Sequence, residues 1–371
     1  MEKAPFKYPL MVVAIAMLLL AAWGGLQRMG WALPQIEPGL ILAHGPLMVS
    51  GFFGTLIALE RAVALRKLWT YLPPTASALG GLLLVFGVGK PLAGSLFVLA
   101  SVGLLAVFGL IVRRHPAVYT WTMALGAAAW LVGNLLWWAG WPVFQLVLWW
   151  AAFLILTIAG ERLELGRMQR WSGFVLRLFV LATGLFLVGL VIALILHDLG
   201  VRIAALGLLG LAVWLLRYDI ARRTINREGL PRFAAICLLS GYVWLAFAAG
   251  IGLYAGTTGG YLYDALLHAI FLGFVFSMIL GHAPIIFPAV LGLPIQFSRL
   301  SYAPLGLLHF SLFLRVLGDL LHFNLLRRWG GMFNGITILL FLIVTILVIL
   351  RSRRSEPEPV REDALAREPG S

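Results

Sequence analysis

Apolar runs of roughly twenty residues, separated by short polar or Gly/Pro-bearing gaps, recur along almost the whole chain. At that length each predicts one membrane-crossing helix. Twelve are predicted, near Pro9–Leu26, Gly39–Leu65, Leu72–Val88, Leu92–Val112, Val118–Gly140, Pro142–Ile158, Phe174–Leu196, Val201–Leu216, Phe233–Ala255, Tyr261–Pro288, Tyr302–Leu321 and Phe333–Leu350. Connections such as Gly89-Lys90-Pro91, Gly140-Trp141-Pro142 and Gly256 to Gly260 carry turn residues and make neighbouring helices antiparallel. The pattern stops after Leu350, where RSRRSEPEPVREDALAREPGS is charged and carries three prolines. Residues 1–350 are expected to form one all-α polytopic membrane domain, and 351–371 a disordered charged tail.

Composition narrows the class. Of 371 residues, 61% are hydrophobic and only 12% charged, with a mean hydropathy of +0.97. A soluble domain is nearer a quarter charged, so most of this chain has lipid as its solvent. The single cysteine, Cys237, excludes a disulfide framework and a multi-thiolate metal site. A net charge of +13 would point to nucleic acid in a soluble protein. Here the basic residues mark topology instead. Lys3, Lys7, Arg66, Lys67, Arg113, Arg114, Arg162, Arg167, Arg170, Arg217, Arg222, Arg223, Arg227, Arg232, Arg299, Arg351, Arg353 and Arg354 fall on one side. The other side has only Arg28, Lys90, Arg202, Arg327 and Arg328. The excess predicts both termini in the cytoplasm of a multi-pass inner-membrane protein. The first apolar run is read as a retained helix.

The chemistry is concentrated in the few polar groups inside these runs. Between Tyr261 and Leu291, a regular helix would place Asp264, His268, Val275 and His282 on roughly one face. Ionisable side chains cost on the order of 3 kcal/mol each at the bilayer centre and mark functional sites there. On the second helix, His44 lies about five residues from the outer end, roughly 8 Å deep; His268 lies about seven residues in, roughly 11 Å. Two histidines at matched depth on separate helices could hold a flat metal macrocycle, one imidazole on each side of the iron. Asp264, one turn before His268, is a candidate to orient its ring. A lone membrane histidine is more often a packed, hydrogen-bonded residue, and that reading stays open. On the eleventh helix, Arg315, Asp319 and His322 share a face, and the Arg–Asp pair reads as self-neutralising. Arg327-Arg328-Trp329 is expected in the next outer loop, where guanidinium groups could clamp carboxylates. Glu60-Arg61 and Glu161-Arg162 end helices two and six about a hundred residues apart, an approximate hint of repeated four-helix units.

At these residues the chain resembles a known family. HGPLMVSGF, beginning at His44, resembles the opening motif of the NnrS family, and HAIFLGFVFSM, beginning at His268, resembles its later motif. That resemblance implies a twelve-helix bacterial membrane protein with haem and copper, tied to nitric oxide. The helix number, inside termini and paired histidines are also similar to the heme–copper oxidase catalytic subunit. The implied fold is an oxidase-subunit-like bundle with one low-spin b-type haem between helices 2 and 10. Carried over, His44 and His268 are its axial ligands and Arg327 and Arg328 its propionate anchors. The resemblance also implies electron transfer, with a redox partner or quinol. Gly45-Pro46-Leu47 stand where NnrS proteins have a second His and an acidic residue, and only Gly281-His282 remains of the later Gly-His-Thr-Gly. The histidines that an oxidase needs on helices 6 and 7 are missing, so reduction of oxygen to water is not expected and copper is left open. Two readings stand beside this one. The intramembrane Asp264, His268, Arg315 and Asp319 could couple protons or ions in a secondary transporter, or simply join helices in a scaffold subunit.

Overall fold

The computed structural model describes residues 6–169, 171–256, 259–292 and 297–354. Among these, all regular structure is helical. Twelve long helices follow in chain order: α1 (Lys7–Arg28), α2 (Leu40–Leu65), α3 (Leu68–Val85), α4 (Lys90–Arg114), α5 (Val118–Trp138), α6 (Val143–Leu165), α7 (Gly173–Ile192), α8 (His197–Tyr218), α9 (Leu230–Ala255), α10 (Gly260–Pro288), α11 (Tyr302–Leu320) and α12 (Asn324–Arg354). Eleven are long and apolar enough to cross a membrane. The remaining one, α5, has 21 residues. Trp121, Trp130, Trp137, Trp138 and Asn134 lower its hydropathy. The chain is a multi-pass helical bundle with a lipid bilayer around it.

Burial orders the helices. Of the apolar window of α6, 78% is buried, against 28% for α7, so α6 is central and α7 peripheral. Phe153 of α6 stacks on Trp130 of α5 at 4.8 Å and 10°. Between α7 and α8, a Cβ at Gly189, Gly200 or Gly207 would run into the facing backbone of Ala204, Ala193 and Phe186 respectively. Lipid gives helices no hydrophobic reason to associate, so such close backbone approach carries the packing.

Two helices depart from α-geometry at equivalent places. Leu47–Gly54 in α2 and Ala269–Phe276 in α10 are each eight-residue π-helical segments. Such i→i+5 segments are rare and concentrate at functional sites. In α2 the ladder is interrupted by Pro46, which has no N–H to give. The Ser77 hydroxyl then donates to the Ser50 carbonyl, and the Trp130 ring fills the place of a Cβ at Gly54. In α10 the Trp244 ring lies where a Gly273 Cβ would be, and Ser277 donates to the Gly273 carbonyl at 2.6 Å. The wide turn resets the rotation of everything after it. Asp264 and His268, before it, therefore do not share a regular α-helical face with His282, correcting the single-period reading of Tyr261–Leu291.

Several boundaries also differ from expectation, most of all the end of α6, at Leu165 and not Ile158, and the two ends of α12. Arg327, Arg328 and Trp329 lie in the opening turns of α12, not in a loop. The chain turns at Leu321–Phe323 with His322 at φ 55°, and helix resumes at Asn324. At 31 residues, α12 is roughly 46 Å long by its 1.5 Å rise, longer than the hydrocarbon core of about 30 Å. It runs to Arg354, past the expected boundary at 350, and the remainder of the charged tail lies outside the described residues.

At the end of the bundle away from His44, the two Glu-Arg dipeptides meet. Arg61 of α2 pairs with Glu161 of α6. Arg162 binds Asp219 through two hydrogen bonds of 2.8 and 2.9 Å, and the Tyr242 hydroxyl donates to the same carboxylate at 2.9 Å. Helices α2, α6 and α9 and the end of α8 are thereby tied at one level.

Candidate functional site

α2 and α10 start from the same end of the bundle, and each passes into its π segment just after a histidine. His44 and His268 line one cavity, walled by α1, α2, α6, α10 and α12 and closed by Arg315 of α11. The cavity volume is ≈ 210 Å³.

Each imidazole is held by one nitrogen. His44 Nδ1 lies 2.6 Å from the Ala21 carbonyl oxygen of α1. A Cβ at Gly25 would sit 2.9 Å from both Cε1 and Nδ1 of that ring, so glycine is what lets α1 come this close. His268 Nδ1 lies 2.8 Å from the Asp264 carbonyl and 3.4 Å from Asp264 Oδ1. A carbonyl only accepts, so the proton of each neutral ring sits on Nδ1 and the lone pair on Nε2. Neither Nε2 has a protein partner among the described residues. Pinning one nitrogen while leaving the other free is how metal-ligating histidines are oriented.

Beside the histidines lies a four-charge cluster. Arg315 grips Asp264 with contacts of 3.1, 3.2 and 3.0 Å. Arg327 Nε lies 2.8 Å from Asp319 Oδ1 and 3.5 Å from Asp264 Oδ2. Arg315 and Asp319, expected to neutralise each other along α11, instead take partners on α10 and α12, because the neighbouring helices bring a carboxylate and a guanidinium closer. Asp319 is fully buried, yet neither of its oxygens accepts an aligned hydrogen bond among the described residues. Arg327 also lies 5.3 Å above the Tyr261 ring, which stacks on His322 at 4.9 Å.

Of the sequence-derived candidates, His44, His268, Asp264 and Arg327 come together at the cavity. Arg328 does not. Its guanidinium donates to the Gly30 carbonyl at 2.9 Å and lies 4.9 Å above the Trp31 ring. His282 is bonded to the Met278 carbonyl at 2.7 Å, and His309 accepts from the Trp244 indole at 3.0 Å, both outside the cavity lining. Among the described residues, no group of three or more His, Cys, Asp or Glu is placed to hold a bare metal ion.

Three features of the cavity escaped the sequence. Arg28 ends α1 at the cavity. Asn334 of α12 is 3% exposed; its Oδ1 accepts from Ser311 at 2.7 Å, while its Nδ2 has no partner among the described residues. A buried donor left unpaired costs about 1–3 kcal/mol. Gly331 and Gly335 flank Asn334 and bring α12 against Leu26 of α1 and Met29 just after it. A lone Asn in an apolar run, beside small residues four apart, was the available signal.

The bundle and its cavity define a polytopic all-α membrane protein. Residues 7–350 match the family model described as Domain of unknown function (DUF8744), and the chain belongs to that family. Among curated proteins, none matches the chain.

Proposed function

We propose that this chain is a haem-binding integral membrane protein that holds one low-spin b-type haem between His44 and His268, with a redox or nitric-oxide-related role. The observation that carries the reading is the pair of histidines on one cavity, each with Nδ1 held at a carbonyl and Nε2 without a partner among the described residues. The remaining donor set fits the same group: cationic side chains at one end, apolar side chains such as Phe53, Phe271 and Ile338 elsewhere, and glycines where the walls must be thin. When bound, the haem supplies a one-electron iron couple. The protein's part is to present two oriented imidazoles. Ala21 and the Asp264 backbone fix the rings, and the Asp264 carboxylate, steadied by Arg315, adds a second contact to His268. The NnrS-like and oxidase-like resemblance supports electron exchange with a redox partner or quinol. The Lys/Arg asymmetry supports an inner-membrane location with both termini cytoplasmic.

The test is a pyridine haemochromogen assay on purified protein expressed with haem supplied. About one b-type haem per chain is expected, and well-folded protein with none contradicts the proposal. For orientation, alkaline phosphatase fused after Arg328 is expected to be active and a fusion after Arg353 inactive.

A further inference from the structure

The cavity's charges are unevenly committed. Arg315 and Arg327 face Asp264 and Asp319, two guanidinium groups against two carboxylates, which leaves no net positive charge there. Arg28 also lines the cavity and has no carboxylate partner among the described residues. In the wall stands Asn334, 3% exposed, its Oδ1 engaged by Ser311 and its Nδ2 without a partner among the described residues. The two side chains belong to helices in direct contact. A Cβ at Gly331 would run into Met29, and one at Gly335 would lie 3.3 Å from Leu26. Both unspent groups are donors, and the cation among them calls for an anion. Spare lone pairs on two imidazoles and spare donors in the same lining ask for a ligand with a Lewis-acidic centre and carboxylate arms.

We propose that Arg28 and Asn334 form the acid-binding subsite of this cavity, taking carboxylate oxygens of a porphyrin ligand in place of the Arg327–Arg328 clamp that the sequence suggests. This rests on the haem reading for the identity of the ligand. Arg327 is occupied by buried acids and Arg328 is turned to Gly30 and Trp31, so neither is spare. Asn334 is a binding residue with a direct donor, and Arg28 supplies the charge at the mouth.

The experiment uses the full chain in detergent, titrated with metal-free protoporphyrin IX and with its dimethyl ester, in which both acids are masked. Fluorescence reads binding without iron. The free acid is expected to bind roughly tenfold or more tightly than the ester. Arg28→Gln is expected to weaken the free acid roughly threefold to tenfold and to leave the ester nearly unchanged, and Asn334→Leu to weaken the free acid more than the ester, whose carbonyl still accepts an N–H. Arg328→Gln should change neither. Equal affinity for acid and ester in the wild type overturns the subsite, as does a loss in the variants that is the same for both porphyrins. A separate haemin titration distinguishes the two claims. A six-coordinate spectrum without acid preference sinks the subsite and keeps the iron ligands, and acid preference without that spectrum does the reverse. If neither metal-free porphyrin binds, the subsite fails, and the haemin titration alone decides the iron ligands.

Discussion

The bundle buries charge at both ends, and the two ends are built differently. Away from the cavity, Asp219 spends both oxygens: Oδ1 accepts from Arg162 and from the Ala221 amide at 2.7 Å, and Oδ2 accepts from Arg162 and Tyr242. At the cavity, among the described residues, Asp319 has no aligned donor, Asn334 Nδ2 has no acceptor, and each histidine keeps a free Nε2. A buried network that satisfies itself locks helices together; one that stays incomplete carries a cost that only a bound partner removes. The Asp219 network is of the first kind, and the cluster at the cavity is of the second.

The largest effect is expected at the satisfied Asp219 network. Arg162→Ala leaves the Asp219 carboxylate buried without its cation, which should destabilise the fold by about 3–5 kcal/mol. Thermal unfolding in detergent should fall with or without haem. Replacing both partners, Arg162→Met with Asp219→Leu, should recover much of that loss. A single variant as stable as the wild type would break the contrast between the two ends.

A smaller, ligand-specific effect is expected from Gly25→Val. The added side chain meets the His44 ring, which must leave the Ala21 carbonyl, and overpacking of this kind costs about 1–3 kcal/mol. Haem occupancy should drop sharply while the ligand-free protein still elutes as a single folded species. Retained haem with unchanged bands would show that α1 does not orient the ring.

The smallest effect sharpens the comparison most. Without ligand, Asn334→Leu should shift stability by no more than about 1 kcal/mol, because the amide it removes was half unpaired. Ser311 keeps the Leu308 carbonyl at 3.0 Å. Thermal unfolding of the ligand-free variant checks this, and a loss as large as that of Arg162→Ala would make Asn334 architectural.

Much of this arrangement was legible in the chain itself. The hydrocarbon imposes a length on every crossing, so the apolar runs predict the helices to within a few residues at most ends. His44, Asp264 and His268 stand out because titratable groups are rare in such runs. The pairing of charges was not legible: Arg315 and Asp319 are neighbours on α11, and only the approach of α10 and α12 decides that they take other partners. The π segments were hidden as well. A period of 3.6 fits Tyr261–Leu291 well enough, and the π segment there lies where Trp244 of α9 packs against Gly273. Arg327 and Arg328 are adjacent in sequence yet diverge, one to the acids of α10 and α11, the other to Gly30 and Trp31.

The most direct measurement is the absorption spectrum of the reduced, haem-loaded protein compared with His44→Ala, His268→Ala and His282→Ala. The wild type is expected to show the sharp bands of a six-coordinate, low-spin haem. Each of the first two variants should lose them while remaining folded. His282→Ala should keep them, because that ring is bonded to Met278 beyond the π segment and outside the cavity lining. Folded His44→Ala or His268→Ala protein with the wild-type spectrum would contradict the account.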